Sequence, residues 1–112
     1  MIVLDEAAVR RQIGGPAVMR RQLERLEHLS AEPFITIQVM TFDLGAHPGL
    51  LGPFILLEFP EPGDNNVLYL ESLVETVTRD NVEETAKYLD NFFAMEARAS
   101  APDQLSSVLF PS

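Results

Sequence analysis

The clearest periodic signal lies between residues 16 and 31, where Met19, Leu23, Leu26 and Leu29 recur at spacings of four, three and three. Such a stripe, with Arg20, Arg21, Glu24, Arg25 and Glu27 on the intervening positions, predicts an amphipathic helix to about Ala31. Gly14-Gly15-Pro16 marks its start, because proline at the first helical position gives up a hydrogen bond that is not made there anyway. Pro33 bars its continuation. Ahead of it, Ile2-Val3-Leu4 reads as a short buried strand. Asp5 is placed to cap a single turn through Glu6, Ala7, Ala8 and Val9, with Arg10 and Arg11 at the end where cations are favoured.

From Phe34 to Phe42 the pattern changes to period two. Ile35, Ile37 and Val39 share one face and Phe34, Met40 and Phe42 share the other, which predicts a central strand covered on both sides. The loop from Asp43 to Gly52 holds three glycines and a proline; Gly49 and Gly52 are expected to take positive φ there. A strand over Phe54–Phe59, a turn over Pro60–Asn66 and a strand over Val67–Val74 follow, and Thr76-Val77-Thr78 extends or pairs with the last of these. Asn81, with Glu84 three residues on, forms a capping-box variant. The helix it opens runs to about Ala99, with Val82, Ala86, Leu89, Phe93 and Ala97 as its stripe and Tyr88, Phe92 and Met95 widening it. Pro102 opens a short turn or helix that docks Leu105, Val108 and Leu109.

These elements predict an α+β fold: a mixed four- to five-stranded sheet, order β-α-β-β-β-(β)-α, with two main helices packed on it. The first strand, helix and second strand form a crossover unit; the later, closely linked strands are antiparallel. A chain of 112 residues is read as a single domain, 1–112.

Composition narrows the function. A net charge of -9 repels phosphate backbones, so direct nucleic-acid binding by this segment is not expected. The absence of cysteine removes disulfides, thiolate nucleophiles and zinc–thiolate sites. Met1-Ile-Val-Leu followed by Asp5 is not a signal peptide, and no apolar run nears the roughly 18 residues of a membrane span. The expected location is cytoplasmic, with no membrane association.

Several stretches occur together in a specific order: Asp5-Glu-Ala-Ala-Val-Arg-Arg, Gly14-Gly-Pro-Ala-Val-Met-Arg-Arg-Gln22-Leu, Ile37-Gln-Val-Met-Thr-Phe-Asp43, Gly45-Ala-His-Pro-Gly49, Gly52-Pro-Phe54, Leu57-Glu-Phe-Pro60 and Leu68-Tyr-Leu-Glu71. In order and spacing they resemble the C-terminal half of the domain of unknown function that follows an XRE-type helix-turn-helix in actinobacterial transcription regulators. The resemblance covers most of residues 2–97. It implies a regulatory, ligand-sensing or protein-interaction domain acting beside a DNA-binding module. The sequence departs from the family where Ser72-Leu-Val-Glu-Thr-Val-Thr78 replaces a more aromatic and acidic strand, and the helices that precede the domain in the family are not in it. It therefore reads as a fragment, a truncated gene product or a free-standing offshoot, with apolar surface left for a homodimer contact or a protein partner.

Candidate chemistry centres on Asp43 and His47 in the glycine-rich loop, with Glu71 on a strand able to approach them. An acid and a histidine can transfer protons or hold a metal. Yet the chain has only two histidines, an aspartate after a strand commonly caps a turn, and a histidine before proline commonly bonds loop backbone. No serine lies in a Gly-x-Ser-x-Gly context, and Gly14-Gly15 belongs to no nucleotide-binding motif. Asp43, His47, Gly49, Phe54 and Glu71 are thus the candidate ligand- or partner-binding residues, and Tyr88, Phe92 and Met95 the candidate interface. No catalytic residue, metal or cofactor is expected. The leading expectation is a non-catalytic regulatory or interaction domain, binding a protein partner or a small-molecule signal; the rival is a small enzyme or ligand carrier using the Asp43–His47 loop.

Overall fold

Short strands must find partners, and here they do so in two separate groups. The computed structural model describes residues 1–111, and the chain divides into two compact units: Met1–Gly45 together with the chain from Glu96 onward, and Ala46–Met95. The fold is α+β, as expected, but the single mixed sheet is replaced by a two-stranded sheet and a three-stranded one.

In the first unit, strand β1 (Ile2–Asp5) pairs in parallel with β2 (Ile37–Met40), Ile2 opposite Ile37 and Leu4 opposite Val39. The crossover between them holds helices α1 (Glu6–Arg10) and α2 (Pro16–Ser30). Asp5 caps α1 by accepting from the Ala7 N–H at 3.0 Å. Arg10 donates from Nε to Glu6 at 3.0 Å, and its two terminal nitrogens donate to the carbonyls of Val108 and Leu109 in α4 (Leu105–Leu109). Met19 and Leu23 of the α2 stripe are buried in one core with Val9, Ile37, Val39, Leu105 and Leu109, and Leu26 packs against it.

Strand β2 is shorter than the sequence pattern suggested. All four of its residues are buried, but Phe34 is 92% exposed and Phe42 59%. A turn in which the Ile35 N–H donates to the Glu32 carbonyl precedes the strand, and a 3-10 turn over Phe42–Leu44 ends it. Both aromatics therefore leave the pleat before they can be covered.

The second unit contains β3 (Phe54–Leu57), β4 (Val67–Glu71) and β5 (Thr76–Arg79), in the order β3-β4-β5 and wholly antiparallel. Thr76-Val77-Thr78 thus belongs to a strand of its own. Helix α3 (Val82–Arg98) begins in this unit with the expected cap: Asn81 Oδ1 accepts from the Glu84 N–H at 3.0 Å. Its packed side corrects the sequence reading. Thr85 and Met95 are buried and Tyr88 and Phe92 half-buried, whereas Val82 and Phe93 are 63% and 51% exposed. The reason is Phe54, whose ring meets Tyr88 edge-on at 5.0 Å and Phe92 at 6.4 Å, so the aromatic arc of the helix turns inward.

Candidate functional site

The glycine-rich loop over 43–52 lies in the chain between β2 and β3. Asp43 belongs to the first unit, where it lies within the Phe42–Leu44 turn and accepts from the Thr41 hydroxyl. His47 belongs to the second unit and is buried, immediately before a 3-10 turn over Pro48–Leu51. A Cβ on Gly49 would lie 3.0 Å from the imidazole and 3.1 Å from Met95 Sδ. Glycine at 49 avoids this tight approach; its φ is not positive, unlike those of Gly45 and Gly52. Glu71 stands exposed at the end of β4, opposite Thr76. Of the candidate residues, the structure gathers His47, Gly49 and Met95 into one small cluster and Phe54, Tyr88 and Phe92 into another. Both clusters are packing arrangements: the histidine is buried, and the aromatic rings face one another.

Two open depressions mark the second unit, one lined by Phe59, Gly63, Asp64, Asn65, Val67 and Asp80, the other by Thr78, Arg79, Asp80, Asn81 and Glu84. His47 lines neither of them. Among the described residues no group of three His, Asp or Glu side chains is arranged to hold a metal ion, and no helix is long and apolar enough to cross a membrane.

The more distinctive surface is one the sequence reading passed over. Directly opposed residues share a face of a sheet, so the register divides this one cleanly. Phe54, Leu56, Leu68, Leu70 and Val77 lie on the inner face, with Leu68 fully buried. Ile55, Leu57, Val67 and Tyr69 lie on the outer face. Ile55 is 55% exposed and Leu57 48%, and Phe59, just beyond β3, is also exposed. At the end of the β4–β5 hairpin, Leu73 and Val74 are held out almost completely bare. The turn is well built: the Ser72 N–H donates to the Glu75 carbonyl at 2.9 Å, and the Ser72 hydroxyl accepts from the Glu75 N–H at 3.2 Å. The signal was present in Phe54-Ile-Leu-Leu57, since a strand apolar on both faces has one face to spare when a helix covers only the other.

The second unit also carries most of the charge. Residues 46–95 hold nine of the 17 acidic residues but two of the eight basic ones, Arg79 and Lys87, and Arg79 is paired with Glu84 at 3.0 Å. Its exposed apolar face is therefore set in an acidic surround.

An α+β domain with an open apolar sheet face is what these features define. The chain belongs to the family described as Domain of unknown function (DUF5753), whose model matches residues 1–109. Neither the comparison with curated proteins nor that with solved structures finds a match.

Proposed function

We propose that the chain is a non-catalytic regulatory domain that binds a protein partner through the outer face of its three-stranded sheet. The observation that carries this reading is the exposed pair Ile55 and Leu57 on a strand whose other face is packed, with exposed Phe59 just beyond it. Contiguous exposed apolar surface on a folded domain marks interaction sites, because leaving it in water costs free energy that a partner recovers. A partner protein is favoured over self-pairing through this face, since two copies would bring two strongly acidic units together.

The wider setting rests on the resemblance described above: a cytoplasmic, actinobacterial regulator in which such a domain lies beside an XRE-type helix-turn-helix and passes a partner-bound or signal-bound state to it. The enzyme and carrier alternatives place their site at the Asp43–His47 loop; a buried histidine and an aspartate engaged by Thr41 give them little support.

The test uses the chain as bait against extracts of its source cells, with an Ile55→Lys, Leu57→Lys double variant as the matched control. A protein retained by the parent and lost by an equally stable variant is the expected result. Partners that bind both forms alike would overturn the reading.

A further inference from the structure

Resting on that reading, we infer that the partner contributes an extended segment, apolar at its centre and flanked by lysine or arginine at both ends, which adds to the sheet as a strand beside β3. Three observations converge on this occupant.

The first is position. In the order β3-β4-β5, β3 is an edge strand, hydrogen-bonded among the described residues of the sheet only to β4. Edge strands present backbone donors and acceptors that an added strand can satisfy, and side-chain pockets alternating along it give selectivity. The second is the contrast between the two edges. β5 shows Thr76, Thr78 and Arg79 at its exposed positions, whereas β3 shows Ile55 and Leu57. An apolar addition gains buried area at β3 and little at β5.

The third is charge. Because β3 and β4 are antiparallel, the Leu57 end of β3 lies by Val67 and the Phe54 end by Leu70. Acids therefore stand at both ends of the edge: Glu58 and Glu61 follow Leu57, while Glu71 and Glu75 bracket the hairpin turn beyond Leu70. A strand laid along β3 would place one end at each acidic group. Cationic flanks on both ends are then complementary, while an anionic lipid surface, a nucleic acid or an acidic peptide meets repulsion.

Three synthetic peptides test this: Lys-Arg-Val-Thr-Val-Thr-Val-Arg-Lys, the same core with Glu-Asp and Asp-Glu flanks, and the basic flanks around a Ser-Thr core. Binding is followed by fluorescence anisotropy at low and high salt, and amide hydrogen exchange locates the contact. The basic, apolar peptide is expected to bind, to slow exchange in Phe54–Leu57, and to lose about tenfold in affinity with Ile55→Lys, a change of about 1.4 kcal/mol. Glu58→Lys combined with Glu71→Lys is expected to weaken it similarly and to flatten its salt dependence. Both variants alter exposed residues, and an unchanged melting temperature confirms that each is folded. Equal binding of the acid-flanked peptide, no binding of the basic one, or protection outside β3 would each overturn strand addition. Loss of a natural partner on Ile55→Lys, Leu57→Lys without binding of the basic peptide would leave the interaction reading standing and remove this one alone.

Discussion

Gln38 and Ser100 hold each other at the end of α3: Gln38 Nε2 donates to the Ser100 carbonyl at 3.0 Å and to the Glu96 carbonyl at 3.2 Å. The last carbonyls of a helix have no partner within it, and a strand residue supplies one here. Ser100 answers in kind, its hydroxyl accepting from the Val39 N–H at 3.0 Å and its own N–H donating to the Val39 carbonyl at 2.9 Å. Gln38→Leu leaves those carbonyls unsatisfied beside a buried side chain, with an expected loss of about 1–3 kcal/mol. Chemical denaturation measures it; a variant as stable as the parent would show that water replaces the amide without cost.

Arg10 ties the two ends of the first unit together through Glu6 and the carbonyls of Val108 and Leu109. Lysine cannot reproduce a fork that reaches several acceptors, so Arg10→Lys is expected to lose about 1–2 kcal/mol. Faster amide exchange in α4 should accompany the lower denaturation midpoint. Unchanged exchange there would place the arginine's contribution elsewhere.

Two loop glycines should fail for different reasons. Gly52 has φ 145° and ψ 159°, a region that costs a side chain about 1–3 kcal/mol whatever space surrounds it. Gly49 has no positive φ but a tight surround, where an added Cβ would press on His47 and Met95. Gly49→Ala should therefore be rescued in part by Met95→Ala, and Gly52→Ala should not. Additive losses in the 49/95 pair, read from melting curves, would argue against the crowding.

Phe54 joins β3 to α3 through Tyr88 and Phe92. Truncation to alanine removes both edge-on contacts and leaves a gap, for about 2–4 kcal/mol. By contrast, Ile55→Lys on the opposite face should stay within about 0.5 kcal/mol of the parent. If the two substitutions cost the same, the division of the sheet into packed and open faces is wrong.

The chain alone should give no mobility shift with duplex DNA at low salt, given its net charge of -9. A salt-sensitive shift at micromolar protein would contradict this.

Much of this was readable in advance where a local rule acts alone. The α2 stripe, the Asp5 and Asn81 caps and the Pro60–Asn66 turn depend on neighbours in sequence, and all appear. The two sheets were not readable, because alternation tells a strand which residues share a face but not which strand lies beside it. Helix α3 offered two adjacent arcs, one through Val82 and Phe93, one through Tyr88 and Phe92; its period fits either, and only the ring of Phe54 selects. The open outer face escaped for the same reason: Ile55 and Leu57 look like core residues until the covering helix is seen to occupy the other side.

The first unit is assembled from chain segments separated by the whole of residues 46–95, and Leu105 and Leu109 complete its core. On a ribosome, where residues emerge in order, Val9, Met19 and Leu23 have only Ile37 and Val39 of their core to pack on until α4 has emerged. The second unit is continuous and can close its sheet and helix while that wait lasts. Synthesis thus runs against the simple rule that the N-terminal part folds first. A released chain truncated before Leu105 should accordingly display a protease-resistant middle and a sensitive beginning.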